Sequence, residues 1–216
     1  MLRFSEEIML LLLDDRGGRF IDIPTASFEY ALAGAVLMDL ALEGRIDTDP
    51  ERLFVVDPTP VGDELLDLTL TQIKQSKESQ DVRYWLKESV ARSEDIRTRS
   101  LSRLVDRGIL QQEEGRFMWV LRTRRYPVID NKTVREVKLR IMDVLLSDEI
   151  PDPRDIVLIS LTDTCRILEG IMSARELKAM AERIKQIRQM DLIGREISKV
   201  MTEIETSLAM TFLPVH

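Results

Sequence analysis

Histidine is confined to the last position, His216, and cysteine to one, Cys165, in a chain of 216 residues. A lone cysteine excludes a disulfide within the chain, and without a histidine near it in sequence it lacks the base that activates a thiol nucleophile. Its surroundings, Ile159 to Leu168, are apolar and helical in pattern, the setting of a small buried residue, and a reducing compartment is expected. No Cys/His cluster has metal-ligand spacing, and no glycine-rich phosphate loop of the Walker or Rossmann type occurs. Gly17-Gly18 reads as a turn. No metal, cofactor or enzymatic activity is therefore expected. The acidic pairs Glu6-Glu7 and Asp14-Asp15 fall at predicted helix ends, where capping and solvation account for them. Internal repeats and low-complexity tracts are also absent. So is an excess of positive charge: the net charge of -7 argues against a chain coated for nucleic acid. The opening run Met1 to Leu13 is interrupted by Glu6 and Glu7 and leads to no small-residue cleavage site, so a signal peptide is not expected.

What is present is helix. Ala26 to Arg45 is apolar on nearly every side, with Asp39 the only charge between Tyr30 and Leu42. It is too short and too well flanked by acids for a bilayer span, which needs about 20 apolar residues, so other helices must cover it. Gly34 among Ala31, Ala33 and Ala35 offers a small surface for a close neighbour, and Gly44 reads as the C-cap. Ser5 is a candidate N-cap for an earlier helix through Leu13. A small hairpin is predicted around Asp47 to Pro50, then helices from Asp63, from Val82 with Trp85 inward, and from Glu94 to Arg107. A second hairpin is predicted to turn at Glu114-Gly115-Arg116, between 109–112 and 117–121. Helices from Lys132, from Ile156 to Leu168, from Leu177 to Met190 and from Ile193 to Met210 complete the chain, with an apolar tail at 212–216. The expected fold is mainly α: a single helical domain, 1–216, around a central apolar bundle, with a protruding β-hairpin.

Charge is unevenly spread. Between Arg92 and Arg125 there are nine arginines, no lysine and five acids, a local excess of four positive charges that leaves -11 on the remainder. Arginine suits bidentate phosphate recognition. Alternation along the second hairpin puts Phe117 and Trp119 on one face and Met118 and Val120 on the other. Together these residues outline an anion-binding surface with an apolar wedge, suited to a lipid headgroup or a nucleic-acid backbone. The helix, glycine and two-strand order at 94–121 also has the outline of a winged helix.

The order of Ser5-Glu6-Glu7-Ile8-Met9-Leu10-Leu11-Leu12-Leu13-Asp14-Asp15-Arg16-Gly17, then Gly34 to Ile46, Gly62 to Asp67, Leu104 to Leu110 and Tyr126-Pro127-Val128 resembles the Golgi phosphoprotein 3 family. That family comprises peripheral membrane proteins that bind phosphatidylinositol 4-phosphate. The resemblance implies a mostly helical domain with a hydrophobic hairpin beside a headgroup pocket. It places the family's pocket tryptophan at Pro24 or Ile23, its first arginine at Ala33 and its second at Glu94, and retains the third as Arg97. A bacterial member is expected, cytoplasmic and peripheral to the membrane, whose partner is an anionic phospholipid surface. The candidate headgroup residues are Arg97, Arg92, Arg99 and Arg103. The candidate membrane or oligomer hairpin carries Arg116, Phe117, Met118, Trp119, Arg122, Arg124 and Arg125, and it either enters the bilayer or pairs with another copy. A winged-helix-like nucleic-acid binder and a protein adaptor without lipid binding are the alternatives.

Overall fold

A computed structural model describes residues 1–13, 18–49, 51–117 and 121–190. The described chain runs α1 (Phe4–Leu11), α2 (Thr25–Leu42), β1 (Ile46–Thr48), β2 (Leu53–Val55), α3 (Glu64–Gln75), α4 (Val82–Val90), α5 (Ser93–Asp106), β3 (Glu113–Phe117), β4 (Leu121–Arg125), α6 (Asn131–Leu146), α7 (Pro153–Thr164), α8 (Ile167–Ile171) and α9 (Ala174–Arg188). The two strand pairs are separate antiparallel hairpins, and helices form everything else that is regular. The fold is mainly α with a hairpin, as the sequence pattern predicts.

By length and composition α2 could cross a membrane. Instead α1, α3, α4, α5 and α7 wrap it, and Ala31, Leu32, Ala33, Ala35, Leu37 and Leu40 have no exposure at all. Its end follows from Gly44, whose φ of +67° lets Arg45 N–H reach Leu40 C=O at 2.9 Å and Gly44 N–H reach Ala41 C=O at 3.0 Å. The helix starting at Asp63 is α3, and the Asp63 carboxylate accepts from the N–H groups of Leu65 and Leu66.

Four local expectations are revised. Ser5 is not an N-cap: α1 begins at Phe4, and the Ser5 hydroxyl lies inside, 2.9 Å from Ser100 Oγ of α5. Glu6 and Glu7 are not solvated, with exposures of 0% and 1%. The second hairpin does not turn at Glu114 to Arg116: these residues belong to β3, and the register closes with Phe117 opposite Leu121. The apolar run from Ile156 to Leu168 is two helices, because Arg166 adopts φ +58° between α7 and α8. The predicted turn at Asp15 to Gly18, apart from Gly18 itself, the helix from Ile193 and the tail at 212–216 lie outside the described residues.

The buried acids organise the packing. Glu6 accepts from Arg3 N–H at 2.9 Å and pairs with Arg107 at 3.2 Å. Glu7 pairs with Arg140 of α6 at 2.8 Å and Arg154 of α7 at 3.1 Å. Asp39 of α2 accepts from Phe4 N–H at 3.0 Å, and Arg154 lies over the Phe4 ring at 4.2 Å. Through these bonds α1 is tied to α2, α6, α7 and the end of α5. Removing a single member of such a buried set leaves an uncompensated charge, so Glu7→Ala is expected to destabilise the protein by about 3–5 kcal/mol, measured as a loss of urea stability. A cost under about 1 kcal/mol would mean that Arg140 and Arg154 find other partners.

Burial pushes the Asp39 carboxyl up to about 7, Glu7 adding to the rise while the Phe4 N–H, Arg154 and Arg3 oppose it. An acid whose folded pKa stands above its unfolded value takes up a proton on folding. Its contribution is complete below the unfolded pKa of about 4 and is lost as pH rises through about 7. Between about pH 5 and pH 8 the urea midpoint should therefore fall more in the wild type than in Asp39→Asn. Parallel pH profiles would exclude this role for Asp39.

Candidate functional site: an arginine cleft at the root of the hairpin

Two helix starts and one extended segment meet on one side of the molecule. The α2 helix opens after Pro24, and α5 after Arg92, neither of which provides a side-chain cap. The first-turn N–H groups of both helices thus receive no side-chain cap from Pro24 or Arg92, and helix starts of this kind favour anions. Residues Phe20 to Ile23 run past them. Between these three lies a cleft of about 320 Å³, with Thr25 and Ser93 on its walls.

Arg97 projects into it from the second turn of α5. Its guanidinium stands 5.5 Å from the Phe20 ring centre and 5.9 Å from that of Phe28, and pairs with Glu94 at 3.2 Å. The rings hold the cation through their quadrupoles and their bulk. Glu94 is 77% exposed, so the ion pair is screened and easily exchanged for another anion. The remaining charged walls are acidic: Asp22, Glu29 and Glu94 against Arg97 alone among the described lining residues.

The hairpin begins beside this cleft. Phe20 meets Tyr126 with ring centres 6.1 Å apart, and Tyr126 N–H donates to Gly18 C=O at 2.9 Å. Gly18 has φ +62°, and a Cβ there would lie 2.3 Å from the Tyr126 carbonyl carbon and 2.4 Å from Pro127 N. Only glycine satisfies both the backbone conformation and the approach. On the other side, Gln111 N–H donates to Pro127 C=O and Ile129 N–H to Ile109 C=O, each at 2.9 Å. Above this root the register sets Glu113 opposite Arg125, Glu114 opposite Arg124, Arg116 opposite Arg122 and Phe117 opposite Leu121. Met118 and Trp119 lie outside the described residues.

The other candidate arginines are placed differently from Arg97. Arg92 is half-buried and donates to Thr69 Oγ1 at 2.7 Å, and burial pulls its pKa down. Arg99 binds Asp95 at 2.8 Å and also Glu64, partners that raise its pKa. Arg103 grips Asp63 with two hydrogen bonds of 2.8 Å. Burial acts to raise the Asp63 pKa, but Arg103, Leu66 N–H and Arg3 together hold it below the ordinary carboxylate value. Arg103 therefore fastens α5 to the start of α3, on the wall of a larger cleft of about 800 Å³ that also includes Arg3, Asp39 and Arg154. Of the four arginines, Arg97 alone lines the hairpin-root cleft.

Positions carried over from the resemblance divide in the same way. Ile23, Glu94 and Arg97 line this cleft, whereas Ala33 is wholly enclosed in the core and supplies nothing to it. The Golgi phosphoprotein 3 (GPP34) family profile matches residues 4–204. The chain belongs to the Golgi phosphoprotein 3 family. It is also similar to vacuolar protein sorting-associated protein 74 of Eremothecium gossypii, 32% identical over 166 residues, covering 67% of this chain and 49% of that protein. The chain thus spans about half the length of this curated relative. Sequence reasoning found Arg97 within the arginine-rich window but not Phe20, Phe28, Asp22 or Glu29, which stand more than 65 residues away in the chain. No spacing signal links them to α5, and only the folded chain brings them together.

Gly18→Ala is expected to unseat the hairpin root and to cost about 2 kcal/mol or more, from the left-handed backbone and the clash combined. Faster amide exchange at Tyr126 than in the wild type would report it. Unchanged protection would show that the root does not depend on Gly18.

Proposed function

We propose that this protein is a non-enzymatic peripheral membrane module of the cytoplasmic face, which docks on anionic phospholipid through the Arg97 cleft and the β3–β4 hairpin. The observation that carries this reading is their adjacency: Phe20 touches both Arg97 in the cleft and Tyr126 at the hairpin root. A phosphate placed between the two helix starts would meet first-turn N–H groups and Arg97. The hairpin would meet the same lipid surface alongside. Each cation near an anionic leaflet contributes about 1 kcal/mol, so a few contacts give reversible, salt-sensitive attachment. Family membership supports the same reading.

The charge of the cleft argues for general rather than multiply phosphorylated recognition. Asp22, Glu29 and Glu94 oppose a headgroup bearing several negative charges, and the resemblance leaves only one of the family's three pocket arginines. The second alternative, nucleic acid, has less support, because Arg99 and Arg103 on α5 are already bound by Asp95, Glu64 and Asp63.

The test is vesicle co-sedimentation with neutral, phosphatidylglycerol and phosphatidylinositol 4-phosphate liposomes at low and physiological salt. The expected result is binding to both anionic vesicles that fades with salt and falls at least tenfold in the triple variant Arg97→Glu, Arg116→Glu, Arg122→Glu, with an unchanged thermal midpoint. Arg103 is unsuitable for this purpose because its reversal would set two carboxylates together at the start of α3. Binding that ignores these substitutions, or none to any vesicle, would overturn the proposal.

A further inference from the structure

The cleft wall formed by Phe20 to Ile23 is one chain thick. The Phe20 ring meets Arg97 and Tyr126, while the Ile21 and Ile23 side chains lie against Gly170 of α8. Ile21 N–H also donates to Leu12 C=O at 2.8 Å, which ties the wall to the end of α1. Gly170 has ordinary helical backbone, a setting in which glycine is less favourable than alanine. What glycine supplies there is space. A Cβ at 170 would stand 2.7 Å from Ile21 Cδ1, well inside carbon contact, with Ile23 Cγ2 at 3.5 Å and Ile21 Cγ1 at 3.7 Å. Burial decides which side gives way. Ile167 and Leu168 anchor α8 in the core, whereas Phe20, Ile21 and Ile23 are only partly buried. A side chain at 170 therefore displaces the wall and not the helix.

Building on the docking function above, we propose that Gly170 is a positioning residue for the anion in the cleft. The room it leaves lets Ile21 and Ile23 rest back on α8, and this holds the Phe20 ring where the Arg97 guanidinium stays open to a phosphate group. Gly170 touches no ligand. It acts through Ile21, whose terminal methyl a larger residue meets first. That methyl is the end of a side chain, so it moves without unfolding the protein. Ile21 and Ile23 both border the cleft, and atoms pushed off α8 are driven toward the space the anion uses. In turn α8 packs on α7 and α9, so one glycine connects the last described helices to the anion site.

A rescue experiment on the full chain tests this, because Ile21→Val removes the Cδ1 that Gly170→Ala strikes. Residues in contact couple, so Gly170→Ala should lower co-sedimentation with phosphatidylglycerol vesicles at low salt about fivefold, while Gly170→Ala/Ile21→Val binds as the wild type and Ile21→Val alone changes little. The thermal midpoint of Gly170→Ala should not fall. By NMR, the Arg97 Nε–H and Ile23 methyl signals should shift in Gly170→Ala and return in the double variant. Arg97 lies against the Phe20 ring and so senses any movement of the wall. Wild-type binding by Gly170→Ala would overturn the proposal, as would a loss that Ile21→Val fails to restore or that comes with a lowered midpoint. A wild type that binds no vesicle would remove the docking function instead. The Arg97 signal then decides the role of Gly170, which fails if that signal does not move.

Discussion

Two carboxylates without any access to water hold this fold in register. Glu6 and Glu7 lie on a helix of eight residues whose every side chain is buried, and their counter-charges come from α6, α7 and the end of α5. Burying an ion is costly, and the attraction to its partner repays it only when the geometry is good. The layers around α1 are consequently constrained: a shift of α6 or α7 that an apolar core would tolerate would here strand a charge. The guanidinium of Arg154 meets four groups at once, Glu7, Asp39, the carbonyl of Leu2 and the Phe4 ring, which fixes α7 against the start of α1.

The hairpin-root cleft inherits that rigidity. Its walls are the first turns of α2 and α5, helices whose far ends are closed by Gly44 and Gly108, each with positive φ. The cation within it is held by two aromatic rings and loosely by Glu94. A rigid frame with a weakly committed charge suits a surface that must exchange one anion for another. The arginines that are firmly committed, Arg103 above all, belong to the frame.

Elements with strong local signals were legible in the sequence. The all-round apolar character of α2, the glycine at its end and the aspartate before α3 each reflect a backbone requirement that only a few residue types meet. The family pattern was legible for a different reason, since order and spacing over most of the chain accumulate where single motifs do not. What remained hidden depends on distant partners. Glu6 and Glu7 after Ser5 have the local form of a solvated helix start, and nothing nearby announces that Arg140 and Arg154 will enclose them. Arg166 likewise has no local mark of a left-handed residue, so α7 and α8 read as one helix. The arginine window was visible as charge, but which members would be consumed by ion pairs was set by Glu64, Asp63 and Thr69, on another helix.

The reach of the α1 ion pairs also sets an order in time. Partners 101, 133 and 147 residues further along the chain neutralise its acids. During synthesis α1 leaves the ribosome well before α7, yet it cannot be enclosed until α7 has followed, at about 5–20 residues per second. For several seconds the most apolar segments of the protein, α1 and α2, coexist without the helices that cover them. That interval exposes the nascent chain to aggregation, and the charges of Glu6 and Glu7, buried once the arginines arrive, favour a hydrated α1 in the meantime.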